Sequence, residues 1–210
     1  MTINLLVADD HGVVRQGIAV AVNDSDVQVV AEAGTGNQAI EKAAELQPDV
    51  VLLDVRMPDI DGLQALERIV ERVPRTKVVM FTGHENMTYV ARAVALGAAG
   101  FVMKGASNDE IVTAIRRAHT GLPPEPDSLF GKVRNTMLRR RPLYDEKVPL
   151  SNREVQVLRH IALGLSNREI ARSLGLSMEM VKEHVMNVLH KLEVADRTEA
   201  AVWAVKNGLV

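Results

Sequence analysis

The sequence predicts an α/β fold built on a doubly wound parallel sheet, followed by a second domain made only of helices. In the first 120 residues, short apolar runs alternate with segments of helical periodicity, which is typical of a parallel sheet covered by helices on both faces. From residue 148 onward the helical periodicity continues and no strand candidate occurs. The 210 residues are enough for two domains of about 100 residues each.

Five apolar runs are the predicted strands, and amphipathic segments separate them. The last of these helical segments opens with Ser107 and Glu110 at capping-box spacing. Strict alternation of five strands with five helices predicts a flavodoxin-like (βα)5 fold with the strand order 2-1-3-4-5. The predicted strands are Ile3 to Val7, Val27 to Ala31, Val50 to Leu53, Val78 to Phe81 and Phe101 to Met103.

A change in composition separates the two predicted domains. Residues 1–120 are predicted to form the first domain and residues 148–210 the second. Between them, residues 121–147 contain four prolines and a basic triplet, Arg139 to Arg141, as expected of a linker. Apolar residues recur every four positions from Leu129 to Met137, which predicts a short helix inside the linker.

Polar caps divide the C-terminal segment into four predicted helices. Gly175 falls between the second and the third, and a helix, a short turn with glycine and another helix make up the DNA-binding helix-turn-helix arrangement. Residues 178–191 are then the predicted recognition helix. The helix starts are marked by two capping-box pairs and two further N-cap residues: Ser151 with Glu154, Ser166 with Glu169, Ser177 and Asp196.

Composition limits the possible functions. The chain has no cysteine, which excludes a disulfide framework and a thiolate metal site. No apolar run approaches the roughly 20 residues that span a bilayer, and acidic residues follow too soon after the N-terminus for a signal peptide, so we expect a cytoplasmic protein without membrane association. Acidic residues outnumber basic ones in residues 1–120 and basic residues are in excess in residues 121–210, a mild hint that the second part meets a polyanion.

Charged and hydroxyl side chains follow four of the predicted strands. Asp9-Asp10 follows the first strand, Asp54 the third, Thr82 the fourth and Lys104 the fifth. The carboxyl ends of parallel strands share one edge, where ligands bind in sheets of this kind. Each residue alone has an ordinary interpretation as a turn former, a strand end or a surface lysine, but their coincidence at one edge favours a functional site.

This combination of residues has a chemical logic. Clustered carboxylates need a cation, and hard oxygen ligands of this type suit Mg²⁺. An aspartate such as Asp54 can act as a nucleophile towards phosphorus and form an aspartyl phosphate. Thr82 and Lys104 would then contact oxygens of the transferred phosphoryl group.

On these residues, the first 120 positions resemble the receiver domain of two-component response regulators. The resemblance implies that Asp54 is the phosphoacceptor for a sensor histidine kinase. It also implies that Thr82 and Phe101 act as switch residues. The acidic residues Asp9, Asp10 and Asp54, together with the main-chain carbonyl of Arg56, are the implied Mg²⁺ ligands. The residues that carry the resemblance are Asp9-Asp10, Asp54, Met57-Pro58, Thr82-Gly83, Phe101 and Lys104.

The C-terminal segment resembles the LuxR-type helix-turn-helix of NarL/FixJ response regulators. The resemblance rests on LSNREVQVL, GLSNREIARSLGLS and VKEHVMNVLHKL and runs from Leu150 to Val210. It implies binding to promoter DNA by a homodimer that forms on phosphorylation or on DNA, with the last helix, Arg197 to Lys206, pairing the two protomers. The implied DNA-binding residues are Asn167, Arg168, Ser177, Lys182, Glu183, His184, Met186, Asn187 and Lys191.

We therefore predict a transcription regulator whose phosphorylation at Asp54 controls sequence-specific DNA binding. The outer face of the predicted recognition helix also has an ordinary interpretation as a solvated surface. An alternative function is a phosphorylated signalling adaptor whose helical segment binds protein instead of DNA, because that segment carries little net charge. A further hypothesis is a hydrolase that uses Asp54 on a small phosphorylated metabolite. Against it, Arg56 stands where such hydrolases carry a second acid, so autophosphorylation and self-dephosphorylation are the only catalysis expected.

Overall fold

The computed structural model describes residues 2–83, 86–138 and 150–210 of the chain. The basic triplet Arg139 to Arg141 and the end of the predicted linker lie outside these residues. The described part forms two compact units, one made of Met1–Glu85 with Leu96–Glu125 and the other of Asn86–Ala95 with Pro126–Val210. None of the described helices is both long and apolar enough to cross a membrane.

The first unit is built on a five-stranded parallel sheet. The strand order is β2-β1-β3-β4-β5, which confirms the predicted 2-1-3-4-5 topology. Every residue of β3 is buried, in keeping with a central strand that helices cover on both faces. The strands are β1 Ile3–Ala8, β2 Val27–Ala33, β3 Val50–Asp54, β4 Lys77–Thr82 and β5 Gly100–Met103.

Helices follow each of the five strands, as the alternating pattern predicts. Their starts are fixed locally: Thr35, Asp61 and Ser107 each accept a hydrogen bond from a backbone N–H in the first turn of the helix that follows. Ser107 and Glu110 form the predicted capping box. The helices are α1 Gly12–Val22, α2 Gly36–Leu46, α3 Gly62–Arg72, α4 Met87–Leu96 and α5 Asn108–His119.

The remaining helices confirm the predicted all-α segment. The helix expected in the linker is present, and its apolar residues Phe130, Val133 and Met137 are buried. Both predicted capping boxes form, and Gly175 ends a helix in the left-handed conformation at φ 63°. The helices are α6 Leu129–Leu138, α7 Asn152–Ala162, α8 Asn167–Leu174, α9 Met178–Leu192 and α10 Arg197–Lys206.

The predicted recognition helix coincides with α9 to within one residue. Ser177 is its N-cap and accepts a hydrogen bond from the N–H of Met180 at 3.2 Å. Val181, Val188 and Leu192 are buried, so this stripe packs into the helical core. The opposite face of α9 is left facing outward.

Candidate functional site

The sheet register brings the sequence-predicted residues to one edge. Leu53, the residue before Asp54, pairs with Ala8, the residue before Asp9. Further along the edge, Asp54 pairs with Phe81 on β4. Thr82 pairs with Met103 on β5, and the N–H of Lys104 donates to the carbonyl of Thr82 at 2.8 Å. The four strand ends therefore place Asp9, Asp54, Thr82 and Lys104 next to one another.

The Lys104 ammonium bridges the two buried carboxylates of this edge. Its Nζ lies 2.9 Å from Asp54 Oδ2 and 2.6 Å from Asp9 Oδ2. The Asp9 side chain is fully buried and that of Asp54 is 4% exposed, whereas Lys104 is partly open to solvent. Buried charges need such pairing, because an unpaired buried carboxylate is strongly destabilising.

Burial and pairing act in opposite directions on the ionisation of this group of residues. Burial raises the pKa of Asp54 above its ordinary value, although the hydrogen bond from Lys104 opposes the shift. Burial alone would lower the pKa of Lys104, but the hydrogen bonds to Asp9 and Asp54 outweigh it and raise that pKa. Lys104 therefore remains an ammonium ion near neutral pH and can offset negative charge next to Asp54.

An acidic cluster of the kind typical of Mg²⁺ sites lies beside Asp54. Oxygen atoms of Asp9 and Asp10 and a ring nitrogen of His11 lie within 4.8 Å of one another. Asp9 is buried, Asp10 is exposed, and the two carboxylates supply hard oxygen donors. This donor chemistry fits a divalent cation, so the cluster matches the sequence-based expectation of a magnesium site.

The loop after β3 is held close to Asp54. The backbone N–H of Arg56 donates to the Asp54 carboxylate, which brings the Arg56 main chain to the site. A Cβ atom on Gly62 would lie 1.9 Å from the carbonyl oxygen of Asp54, far inside contact distance. The N–H of Gly62 also donates to the carbonyl of Val55 at 2.8 Å. Only a residue without a side chain allows α3 to begin this close to the phosphoacceptor candidate.

The two proposed switch residues lie on the strands beyond Asp54. Thr82 is buried at the end of β4, and Phe101 is half-buried on β5. Met80 of β4 pairs with Phe101, two residues before the pairing of Thr82 with Met103. A change near Asp54 therefore has a short route through β4 to β5.

The outward face of α9 holds the central residues expected to contact DNA. Lys182, Glu183 and Met186 are exposed, and Met186 has 65% of its surface exposed despite being apolar. His184 and Asn187 are half-buried at the border of this face. Met186 lies three residues after Glu183 and four after Lys182, which places it next to both side chains on the helix surface.

Three other expected DNA contacts lie at helix ends. Asn167 begins α8, and its side-chain oxygen accepts a hydrogen bond from Arg197 at 2.9 Å. Arg168 is exposed next to it. Lys191, near the end of α9, pairs with Glu154 of α7 at 2.8 Å, so its ammonium also stabilises the packing of these helices.

Asp59 and His160 are among the residues that sequence reasoning missed and the structure makes prominent. The Asp59 carboxylate accepts hydrogen bonds from the N–H groups of Gly36 and Asn37 at 2.8 and 2.9 Å, and so caps α2 from another loop. The hydrogen bonds hold the pKa of Asp59 well below its ordinary value. His160 is fully buried, and its ring nitrogens lie 2.7 Å from the Gln156 carbonyl and 2.8 Å from Ser173 Oγ. No local pattern signals either contact.

Comparison with known families divides the chain into the same two parts. Residues 5–116 match the response regulator receiver domain family. Residues 148–204 match the family of bacterial regulatory proteins of the luxR type. Together the two matches account for most of the chain.

Individual relatives support the same division. The response regulator protein VraR of Staphylococcus saprophyticus is 40% identical over 211 residues, covering 100% of both chains. The receiver domain of the response regulator NarL from Mycobacterium tuberculosis is 36% identical, with a TM-score of 0.55, and covers 57% of this chain and 98% of its own. A LuxR-family two-component response regulator from Aurantimonas is 26% identical, with a TM-score of 0.60, over 66% of this chain and 100% of its own.

Proposed function

Because this chain belongs to the NarL/FixJ family of two-component response regulators, with a receiver domain and a LuxR-type DNA-binding domain, we propose that phosphorylation of Asp54 by a sensor histidine kinase controls its binding to promoter DNA. The observation that carries the proposal is the buried Asp54 carboxylate at the end of β3, held 2.9 Å from the Lys104 ammonium. A nucleophile and a cation stand together at the edge where parallel sheets bind ligands.

The phosphoryl transfer follows from this arrangement. An Asp54 carboxylate oxygen attacks the phosphorus of a phosphohistidine on the kinase, and the bond between phosphorus and the histidine nitrogen breaks. Lys104 and Thr82 contact oxygens of the transferred group, and the ammonium offsets their charge. Asp9, Asp10, Asp54 and the main-chain carbonyl of Arg56 would hold Mg²⁺, which supplies further charge compensation when bound.

The switch depends on residues next to the phosphoryl group. New negative charge at Asp54 draws the Thr82 hydroxyl towards it, and Phe101 takes the space that this movement opens. The surface near β5 changes as a result. Either this surface or the α1 and α5 helices would then form a homodimer, and a twofold dimer would bind inverted half-sites.

The exposed face of the helical unit fits DNA better than protein as a binding partner. Lys182, Glu183 and Met186 are exposed on α9, and Ser177 caps the start of this helix. Such an exposed helix face suits insertion into a major groove. His184, Asn187 and Lys191 on α9, with Asn167 and Arg168 on α8, complete the proposed contact surface. The family is one of signalling proteins and not of catalytic enzymes, so the hydrolase hypothesis is set aside.

The proposed domain limits follow the predicted composition change. They are residues 1–120 for the receiver, 121–147 for the linker and 148–210 for the DNA-binding domain. The family matches, which run over residues 5–116 and 148–204, support these limits. We also propose a cytoplasmic location, because both the kinase phosphodonor and the promoter are found there.

Two measurements test the proposal. Incubation with acetyl phosphate and Mg²⁺ should add one phosphoryl group, and peptide mapping by mass spectrometry should place it on Asp54. Affinity for a DNA duplex selected by this protein from a random library should fall steeply with rising salt, because DNA binding releases counterions. Phosphate found on another residue, or a flat salt profile, would overturn the proposal, and the flat profile would favour the adaptor.

A further inference from the structure

The β1–α1 turn, which carries Asp9 and Asp10, is held by a side chain outside the acidic cluster. Arg15 on α1 donates from one terminal nitrogen to the main-chain carbonyl oxygen of Asp9 at 2.8 Å. Its Nε donates to Glu32 Oε2 on β2, also at 2.8 Å. One guanidinium therefore connects the end of β1 to the neighbouring strand through α1.

We propose that Arg15, held by Glu32, is a positioning residue that orients the Asp9–Asp10 turn for Mg²⁺. The inference rests on the proposed function of this edge as a metal-dependent phosphorylation site. Arg15 and Glu32 would not touch the metal ion themselves. They act through the peptide unit that joins the two aspartates.

The peptide geometry explains how a bond to a carbonyl oxygen reaches the metal ligands. The carbonyl of Asp9 and the nitrogen of Asp10 belong to one planar peptide unit, so fixing the oxygen fixes the direction in which the chain enters Asp10. Without Arg15, the plane can rotate and the exposed Asp10 carboxylate moves with it. The buried Asp9 side chain is held separately. It pairs with Lys104, and its Oδ1 accepts a hydrogen bond from the backbone N–H of His11 at 2.9 Å.

The anchor of Arg15 is itself well fixed. Glu32 pairs with Val7 in the sheet register, and the next residue, Ala33, accepts a hydrogen bond from the N–H of Asp9 at 3.0 Å. The carbonyl of Glu32 accepts a hydrogen bond from Lys42 Nζ at 2.5 Å. The Arg15 side chain is 22% exposed and the Glu32 side chain 42% exposed, so the guanidinium is the more shielded partner of the pair. A two-pronged arginine contact of this type gives geometric precision as well as binding energy.

Magnesium affinity should depend strongly on how precisely the Asp9–Asp10 turn is oriented. Mg²⁺ demands near-ideal octahedral geometry, whereas Ca²⁺ accepts flexible coordination. Residues that orient metal ligands from outside the coordination sphere typically contribute about tenfold or more to metal affinity. Loss of Arg15 should therefore weaken Mg²⁺ binding more than Ca²⁺ binding, which general destabilisation of the domain would not do.

The test is calorimetric titration of the full chain with Mg²⁺ alone and with Ca²⁺ alone. Arg15→Met should lower Mg²⁺ affinity about tenfold and Ca²⁺ affinity much less, and Glu32→Gln should give an intermediate loss. Arg15→Lys keeps the positive charge without the forked donor, so it should also bind Mg²⁺ more weakly and serves if the methionine variant does not fold. The matched control is Arg116→Met, which removes an arginine–carboxylate pair of the same length, 2.8 Å, with Asp26. Asp26 directly precedes β2, whereas Glu32 lies near the other end of that strand.

Four outcomes are distinguishable. Selective loss of Mg²⁺ affinity in the Arg15 and Glu32 variants, with Arg116→Met unchanged, supports the proposal. Equal losses in the Arg15 and Arg116 variants, or wild-type affinity in Arg15→Met, overturn it while leaving the metal site in place. Asp10→Asn removes a proposed ligand directly, and if it binds Mg²⁺ like the wild type the metal site fails and the role of Arg15 fails with it.

Discussion

The proposed phosphorylation site and the proposed DNA-binding face of this chain place their charges in opposite environments. At the sheet edge, Asp9 and Asp54 are buried and share the Lys104 ammonium. On α9, Lys182 and Glu183 are exposed on the outside of a single helix. The first group is organised without any ligand present, which suits the proposed covalent chemistry, because such chemistry needs fixed and desolvated groups. The second is left open, as the proposed DNA contact requires, because phosphates would neutralise the Lys182 ammonium only once DNA is bound.

This difference decides how each region responds to substitution. A change in the buried site should remove a function or a large part of the folding free energy, since no solvent can replace a lost partner. A change on the exposed face should alter binding by small increments and leave the fold intact.

The largest effect is expected at Asp54. Asp54→Ala removes the nucleophile, so acetyl phosphate and Mg²⁺ should add no phosphoryl group to the protein, as measured by intact-protein mass. Asp24→Ala, at an exposed position outside this edge, should be phosphorylated like the wild type. Full phosphorylation of the Asp54 variant would show that the buried carboxylate is not the acceptor.

The next effect concerns the close approach of α3 to β3. Gly62→Ala places a Cβ where the Asp54 carbonyl oxygen lies 1.9 Å away, and backbone must shift to accommodate it. We expect a loss of about 3 kcal/mol in the free energy of unfolding, measured by urea denaturation followed by circular dichroism.

Gly17→Ala is the matched control for this substitution. Gly17 lies inside α1, and a Cβ atom there would meet nothing within 4 Å, so alanine should stabilise the helix by about 0.5–1 kcal/mol. If both alanine variants had the same unfolding midpoint, the tight packing beneath Asp54 would not be a real constraint.

His160 should give the helical unit an acid sensitivity that arises from its buried side. Burial lowers the pKa of His160 from 6.5 to about 4, because charging the buried ring is costly, although the hydrogen bond to the Gln156 carbonyl opposes the shift. The unfolded chain binds the proton at higher pH, so this stability is fully present above about pH 6.5 and is lost as the pH falls towards 4. The loss should reach about 2 kcal/mol at about pH 5.

Trp203 allows this effect to be measured in the helical unit alone. It is the one tryptophan of the sequence and lies on α10, so its fluorescence during urea denaturation reports on unfolding there. His160→Gln can keep a hydrogen bond to Ser173 but cannot be protonated, and its stability should fall less between about pH 7.5 and pH 5. Parallel pH profiles for the two proteins would rule out the buried histidine as the cause.

The smallest effects separate two lysines of the same helix. Lys182→Ala should weaken DNA binding by about 1 kcal/mol and reduce the salt slope by about 1, because an exposed cation is lost from the contact face. Lys191→Ala should weaken DNA binding less than this, because its ammonium is already paired with Glu154, and it should in addition cost about 1 kcal/mol of folding stability, because Glu154 is 5% exposed and loses its ion-pair partner. Anisotropy titrations and Trp203 fluorescence measure the two quantities, and equal DNA effects would contradict the distinction.

Much of the architecture could be predicted from the sequence because local signals specify it. Apolar runs mark the five strands, and three serine–glutamate pairs mark helix starts that the structure confirms as capping boxes. The convergence of Asp9, Asp54, Thr82 and Lys104 follows from the strand order, since all four stand at carboxyl ends.

The residues that sequence reasoning missed act over long separations. Arg15 meets Glu32 across 17 positions, and Asp59 caps a helix that begins 23 positions earlier. Gly62 reads as an ordinary loop glycine until the backbone beneath it is seen. His160 lies on a helical face that periodicity marks as apolar core, and only the packed structure reveals the hydroxyl of Ser173 that makes its burial acceptable.

The most direct test of the central claim is the DNA affinity of the full chain with and without phosphorylation. A duplex selected by this protein from a random library would be titrated before and after treatment with acetyl phosphate and Mg²⁺, in parallel for the wild type and Asp54→Ala. We predict that phosphorylation changes the affinity of the wild type and leaves that of the variant unchanged. An equal response in both proteins, or none in either, would contradict control of DNA binding through Asp54.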